Sequence, residues 1–198
     1  MDNMNHLRDL LMFDIQHLYS AEVQIMEALP AMIAKASNPE LKRALEQHLN
    51  VTEIQRQRLD QVKQMMGVTE DNNSGGAMGI FAGLFNPGTK SKGIDGLITD
   101  GEKIMAIDMA PAVMDAAIIG CSQKIEHFEI AAYGTARTYA EQLGLIDVAQ
   151  LLQQTLIEEH DADDMLTALA VGKVNQQAEA GVGNMAGTMS NTPSNANM

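Results

Sequence analysis

Tryptophan is absent from this 198-residue sequence, and aromatic residues make up only 4% of it. The β-branched and aromatic side chains that strands prefer are scarce, whereas Ala, Leu, Met and Gln abound, so strong helix formers dominate. A sheet-based fold is excluded on those grounds and an all-α class is expected. A single cysteine, Cys121, excludes an internal disulfide framework. Its neighbours Ile118, Ile119 and Gly120 indicate a buried, inert thiol. No apolar run approaches the ~20 residues needed to span a bilayer, and Met1 to Arg8 lacks the basic start and apolar run of a signal peptide. A cytoplasmic protein with no membrane span is expected. Positive charge is also short: 13 Lys and Arg stand against 26 Asp and Glu, a net charge of -13. Phosphate backbones are bound by clusters of Lys and Arg, so no nucleic-acid partner is expected. Much of this charge is a solvated acidic surface, which keeps copies apart and attracts cations.

With 45% hydrophobic residues the chain can bury a sizeable core. Leu7, Leu11, Leu18, Ile25, Met26, Leu29 and Ile33 recur at three and four spacing, a helical stripe over about residues 3–36. Asn38-Pro39-Glu40 then reads as a helix start, with Asn38 at the N-cap and Pro39 in the first turn. A second stripe, Leu41, Leu45, His48, Thr52, Gln55, Leu59, Val62 and Met66, predicts a helix over 39–66, stopped by Gly67. Periodicity dissolves across a crossover at 67–110, apart from an apolar patch at Gly79–Phe85 and a short helix at Ile94–Met105. Pro111 opens a third long helix, 111–143, with Ala112, Ala116, Ile119, Gln123, Glu126, Ile130, Tyr133 and Arg137 along one side, closed by Gly144. Val148, Leu152, Thr155, Glu159, Ala162, Leu166 and Leu169 mark the fourth, over 146–171. Residues 172–198 carry no period and too little apolar surface to offset ordering entropy, so this tail is expected to be disordered. Two tight turns and one long connection between helices two and three predict an antiparallel ferritin-like four-helix bundle over residues 1–171.

Each stripe carries polar residues where core is expected: Glu22, then His48, Thr52 and Gln55, then Gln123 and Glu126, then Glu159. Charged groups are seldom buried unless paired or bound to a metal. Residues facing each other across an antiparallel hairpin sum to about twice the turn position. With turns near Ser37 and Gly144, Glu22 stands opposite Thr52 and Glu53, Glu129 opposite Glu159, and Glu126 opposite Ala162 and Asp163. The acids thus gather at one height in each hairpin. Carboxylates from facing helices can bridge two cations, and oxygen-rich ligation with few imidazoles suits Fe or Mn better than Zn or Cu. A buried carboxylate satisfied by Tyr, Thr or Gln, or by Arg58 or Arg137, is the structural alternative, and a histidine on an apolar face such as His48 is more often a hydrogen-bonded core residue than a ligand.

The spacing Glu22…Glu53…Glu126-x-x-Glu129…Glu159 resembles the rubrerythrin and ferritin signature of Glu, Glu-x-x-His, Glu-x-x-Glu, Glu-x-x-His. Leu18-Tyr19-Ser20-Ala21-Glu22, the run Lys124–Gly134 and Thr155-Leu156-Ile157-Glu158-Glu159 are similar to the bacterial YciE/YciF-type ferritin-like family over about residues 5–170. That resemblance implies a stress-associated, homodimeric helical protein without implying an enzyme. Two positions depart from the ferritin pattern: Arg56 and Ala162 stand where histidines belong, with Asp163 one place further as a substitute ligand. The helix-two ligand stays open among Glu53, which projects off its stripe, His48 and Gln55. The candidate metal residues are therefore Glu22, His48, Glu53, Glu126, Glu129, Glu159 and Asp163. A dinuclear Fe or Mn site reacting with peroxide or oxygen under stress is the leading expectation. A non-enzymatic structural or interaction bundle with a degenerate site is the alternative.

Overall fold

The computed structural model describes residues 4–67 and 90–180. These residues are all-helical, with no strand among them: α1 (Leu7–Lys35), α2 (Pro39–Met65), α3 (Lys92–Met105), α4 (Pro111–Gln142) and α5 (Ile146–Leu169). α1 starts four residues later than its stripe predicts, because the Asp9 carboxylate accepts from the backbone N–H of Asn5 and His6 and fixes the first turn there. Asn38 caps α2 as expected, its side chain accepting from the N–H of Glu40 (2.8 Å) and Leu41 (3.1 Å). Gly67 and Gly144 end α2 and α4 at φ 81° and 71°, a conformation that costs glycine least. The apolar patch at Gly79–Phe85 lies outside the described residues.

α1 packs on α2, α2 on α5, α5 on α4, and α4 back on α1, so the four long helices close a ring around one core. α3 lies outside that ring against α4 and α1. It is pinned at its start by the Ser91 N–H donating to Ser20 Oγ (3.0 Å), and it buries Ile94 and Met105. The close approach needs Gly93, since a Cβ there would sit 2.6 Å from the Phe128 ring.

The core is divided in two. One apolar cluster, including Ile25, Leu29, Leu41, Leu45, Ile118, Ile119 and Leu166, fills the end near the α1–α2 turn. The other, including Leu11, Ile15, Leu18, Leu59, Val62, Ala136 and Leu152, fills the opposite end. Between Leu18 and Ile25, between Leu45 and Leu59, and between Leu156 and Leu166, each helix runs through a buried polar belt. At the far end, α5 widens into a π turn at Ala170–Val174 and continues as helix through residue 180. The disorder expected from residue 172 is therefore corrected for 172–180: the wider turn sets Val174, 1% exposed, into the first apolar cluster beside Ala170.

Candidate metal centre

Glu22 of α1, Glu126 and Glu129 of α4, and Glu159 of α5 project into the belt, each 2% exposed or less. They share it with Gln55 of α2, Thr52, Thr155 and Tyr133, all buried. The donors on hand are few. Tyr133 Oη donates to Glu22 Oε1. Gln55 Nε2 donates to Glu159 Oε1 at 2.5 Å. His48 Nε2 lies 3.4 Å from Glu126 Oε1, close but not aligned as a hydrogen bond. Glu22 Oε2, Glu126 Oε2, Glu129 Oε1, Glu159 Oε2 and Gln55 Oε1 are left buried with no partner.

Such a belt resists ionisation. Burial, then the charge of Glu159, push Glu22 well above the usual carboxylate range. Burial and the neighbouring Glu22 do the same to Glu129, and burial and Glu126 to Glu159. Glu126 is raised by burial to about 7. Glu126 and Glu159 offer carboxylate oxygens within 4.8 Å of each other, and ionised, neither offers the other a donor. The His48 imidazole, also desolvated, falls to about 4 and stays neutral at physiological pH.

A buried cation is present but committed elsewhere. Arg58 donates to both oxygens of Glu158, at 2.8 and 2.9 Å, and to Thr155 Oγ1 at 2.5 Å. It lowers the Glu22 carboxyl by its field without touching it. Arg137 likewise turns away, toward Gln153 and Glu141. Neither arginine takes the structural role of pairing with a belt carboxylate.

The structure brings together Glu22, His48, Glu126, Glu129 and Glu159, and it sets Glu53 and Asp163 apart. Glu53 stands on the outer face of α2, bonded to Arg56 and Gln57, and those bonds hold its carboxyl below its ordinary range. Arg56, at the position of the missing histidine, spans Glu53, Asp60 and Tyr19. Asp163 lies at the rim of the belt, accepting from Gln123 (3.1 Å) and lying 3.3 Å from His127 Nε2. Gln55 therefore takes the inward place that spacing had offered to Glu53. Glu129, which lies off the sequence stripe of the third helix, is fully in the core. One supporting residue, Glu158, is visible in the sequence only as the neighbour of Glu159, whereas Tyr133, on its stripe, takes the donor role that the structural alternative assigns to Tyr.

The donor set suits a cation. His48, Glu126 and Glu159 offer ligand atoms all within 4.8 Å of one another, a group able to hold a metal ion. Two carboxylates at that separation repel by about 3 kcal/mol at an effective dielectric constant of about 20, a cost that a bound cation reverses.

The family described as "Domain of unknown function (DUF892)" matches residues 6–84 and 79–179. Protein YciF of Escherichia coli (strain K12) is 37% identical over 177 residues, 89% of this chain and 98% of that protein. The crystal structure of the E. coli stress protein YciF aligns with a TM-score of 0.73 at 36% identity, covering 87% of this chain and 99% of that one. YcfI of Rhodopseudomonas palustris, for which a structural role has been suggested, aligns with the same TM-score at 35% identity, over 84% and 96%. The chain belongs to the DUF892 family and is a relative of the stress protein YciF.

Proposed function

We propose that this protein is a ferritin-like antiparallel four-helix bundle whose belt of Glu22, Glu126, Glu129 and Glu159, with Gln55 and His48 at its α2 side, holds a pair of iron or manganese ions. The observation that carries the reading is the four carboxylates, each buried and each with an oxygen that no side chain satisfies. An apolar core does not retain four such groups for stability alone, because an unsatisfied buried oxygen costs about 1–3 kcal/mol. Bound there, iron or manganese would supply the electron transfers by which peroxide or oxygen is reduced under stress. The protein's own part is positional. Tyr133 fixes Glu22, Gln55 fixes Glu159, and Arg58 with Glu158 ties α2 to α5. The two flanking apolar clusters cover the belt at its two ends. The assembly proposed is a homodimer, which sedimentation would distinguish from a storage cage.

Elemental analysis of protein purified without chelators tests the reading. About two equivalents of iron or manganese per chain are expected, falling sharply in Glu22→Ala and Glu159→Ala. Full metal content in both variants would overturn it. A second reading rests on burial pushing the Glu126 and Glu159 carboxyls up and on the lack of any α2 carboxylate in the belt. The bundle would then be a structural protein whose belt is held together by protonation, as the role suggested for YcfI would allow. It expects no rise in melting temperature with Fe(II) or Mn(II), whereas a ligand bound only by the folded state must raise it.

A further inference from the structure

A cavity of about 200 Å³ lies between α2 and α5. Leu45, Val51, Ala162, Met165 and Leu166 form its walls. His48 and the almost fully buried Glu126 close its inner end. Glu158 and the exposed Asp161 stand at the mouth. No Lys or Arg lines it among the described residues.

We propose that this cavity binds a small uncharged molecule with an apolar body and one hydroxyl or hydroperoxide head, the head directed at Glu126 and His48. Size argues for an organic guest: an apolar protein cavity of about 150 Å³ takes up benzene, and this one is larger than water, oxygen or hydrogen peroxide requires. Wall chemistry argues for an apolar body, since each methylene moved from water onto such a wall gains about fourfold in affinity. Glu126 and His48, the polar residues that close the inner end, argue for one polar head. Charge disfavours fatty acids and other anions: Glu126, Asp161 and Glu158 border the cavity, only Glu158 is paired, with Arg58, and no Lys or Arg lines the space among the described residues.

The inference deepens the metal-centre reading, for it names the class of molecule that would meet the centre. Binding itself needs no metal, so the two can fail separately. The test is isothermal titration of chelator-treated full-length protein with 1-butanol, 1-hexanol and 1-octanol, then with tert-butyl hydroperoxide, and with hexanoate as the anionic control. Affinity should rise about fourfold per methylene and level off once the cavity is full, with hexanoate at least tenfold weaker than 1-hexanol. Ala162→Phe and Ala44→Phe, which fill the space from opposite walls, should each reduce 1-hexanol affinity at least tenfold while retaining the helical circular dichroism of the parent. Equal binding in both folded variants, or no saturable binding in the parent, would overturn the proposal. So would preference for hexanoate.

Discussion

If the belt is as short of donors as its geometry indicates, the metal-free protein should lose stability as pH rises through neutrality. The sign follows from Glu126. Its carboxyl titrates near 4.5 in the unfolded chain and is raised by burial to about 7 in the fold. Between those values the folded state keeps a proton that the unfolded state has released, so raising the pH favours unfolding. The loss across that window is about 3 kcal/mol for Glu126 alone. His48 works in the opposite sense, because its folded value of about 4 lies below the ordinary 6.5. Its contribution is present above 6.5 and is lost as pH falls toward 4, so it offsets Glu126 on the acid side only. Above pH 6.5 the carboxyls stand unopposed, and Glu22, Glu129 and Glu159, all shifted upward, extend the decline.

Chelator-treated protein should accordingly show a melting temperature that falls as pH rises from 6.5 through the Glu126 value of about 7. One retained proton corresponds to about 1.4 kcal/mol per pH unit, or about 3–5 °C for a chain of this size. Adding Mn(II) should invert the slope, since deprotonation then favours ligation. Glu159→Gln, which removes one titrating group while keeping its shape, should flatten the metal-free slope. A melting temperature that is level or rises with pH in the metal-free parent would refute the reasoning, for it would mean that the fold already compensates the ionised belt.

Other consequences are more local. Arg58→Met should cost about 2 kcal/mol in urea unfolding, less than a fully buried pair because Glu158 can turn to water. Asp115→Ala should cost about 3 kcal/mol, because its carboxylate accepts from Ser37 N, Ser37 Oγ and Asn38 N and so ties the α1–α2 turn to α4. Cys121, buried and with its thiol pushed up by that burial, should react with a thiol reagent at least tenfold more slowly in native protein than in urea; equal rates would contradict its placement.

The helices were legible wherever hydrophobic contrast was high. On α2 and α5 the sequence stripe and the buried face coincide nearly residue for residue, down to Thr52, Gln55, Thr155 and Glu159. On α4 they diverge. The buried face runs Asp115, Ile118, Ile119, Ser122, Ile125, Glu126, Glu129, Tyr133, Ala136 and Ala140. A stripe drawn through Ala112, Ala116, Gln123, Ile130 and Arg137 shares only Ile119, Glu126 and Tyr133 with it. Alanine is common on every face of this helix, so apolarity alone does not fix its rotation, and Glu129 was set off the core in consequence. Glu53 shows the converse. Family spacing favoured it and helical phase did not, and phase agrees with the structure, because side-chain direction on a helix is set by position within the turn. Arg58 was legible as a partner for a buried carboxylate, but not which one, since Glu158 and Thr155 come from a helix nearly 100 residues away.

The belt is lopsided: α1, α4 and α5 supply its four acids, while α2 supplies only the uncharged Thr52 and Gln55 and, at the edge, His48. Neutral side chains hold a divalent cation less firmly than carboxylates do, because they cancel none of its charge. The side facing α2 is also the side that the α2–α5 cavity reaches. An exchangeable position is therefore expected there, with His48 contributing to access more than to retention. His48→Ala should weaken Mn(II) affinity on the order of tenfold, whereas Glu159→Ala should abolish stoichiometric binding. Equilibrium dialysis of the two variants decides the matter. If His48→Ala empties the centre as completely as Glu159→Ala, the imidazole is an obligatory ligand and α2 holds the metal as tightly as its neighbours do.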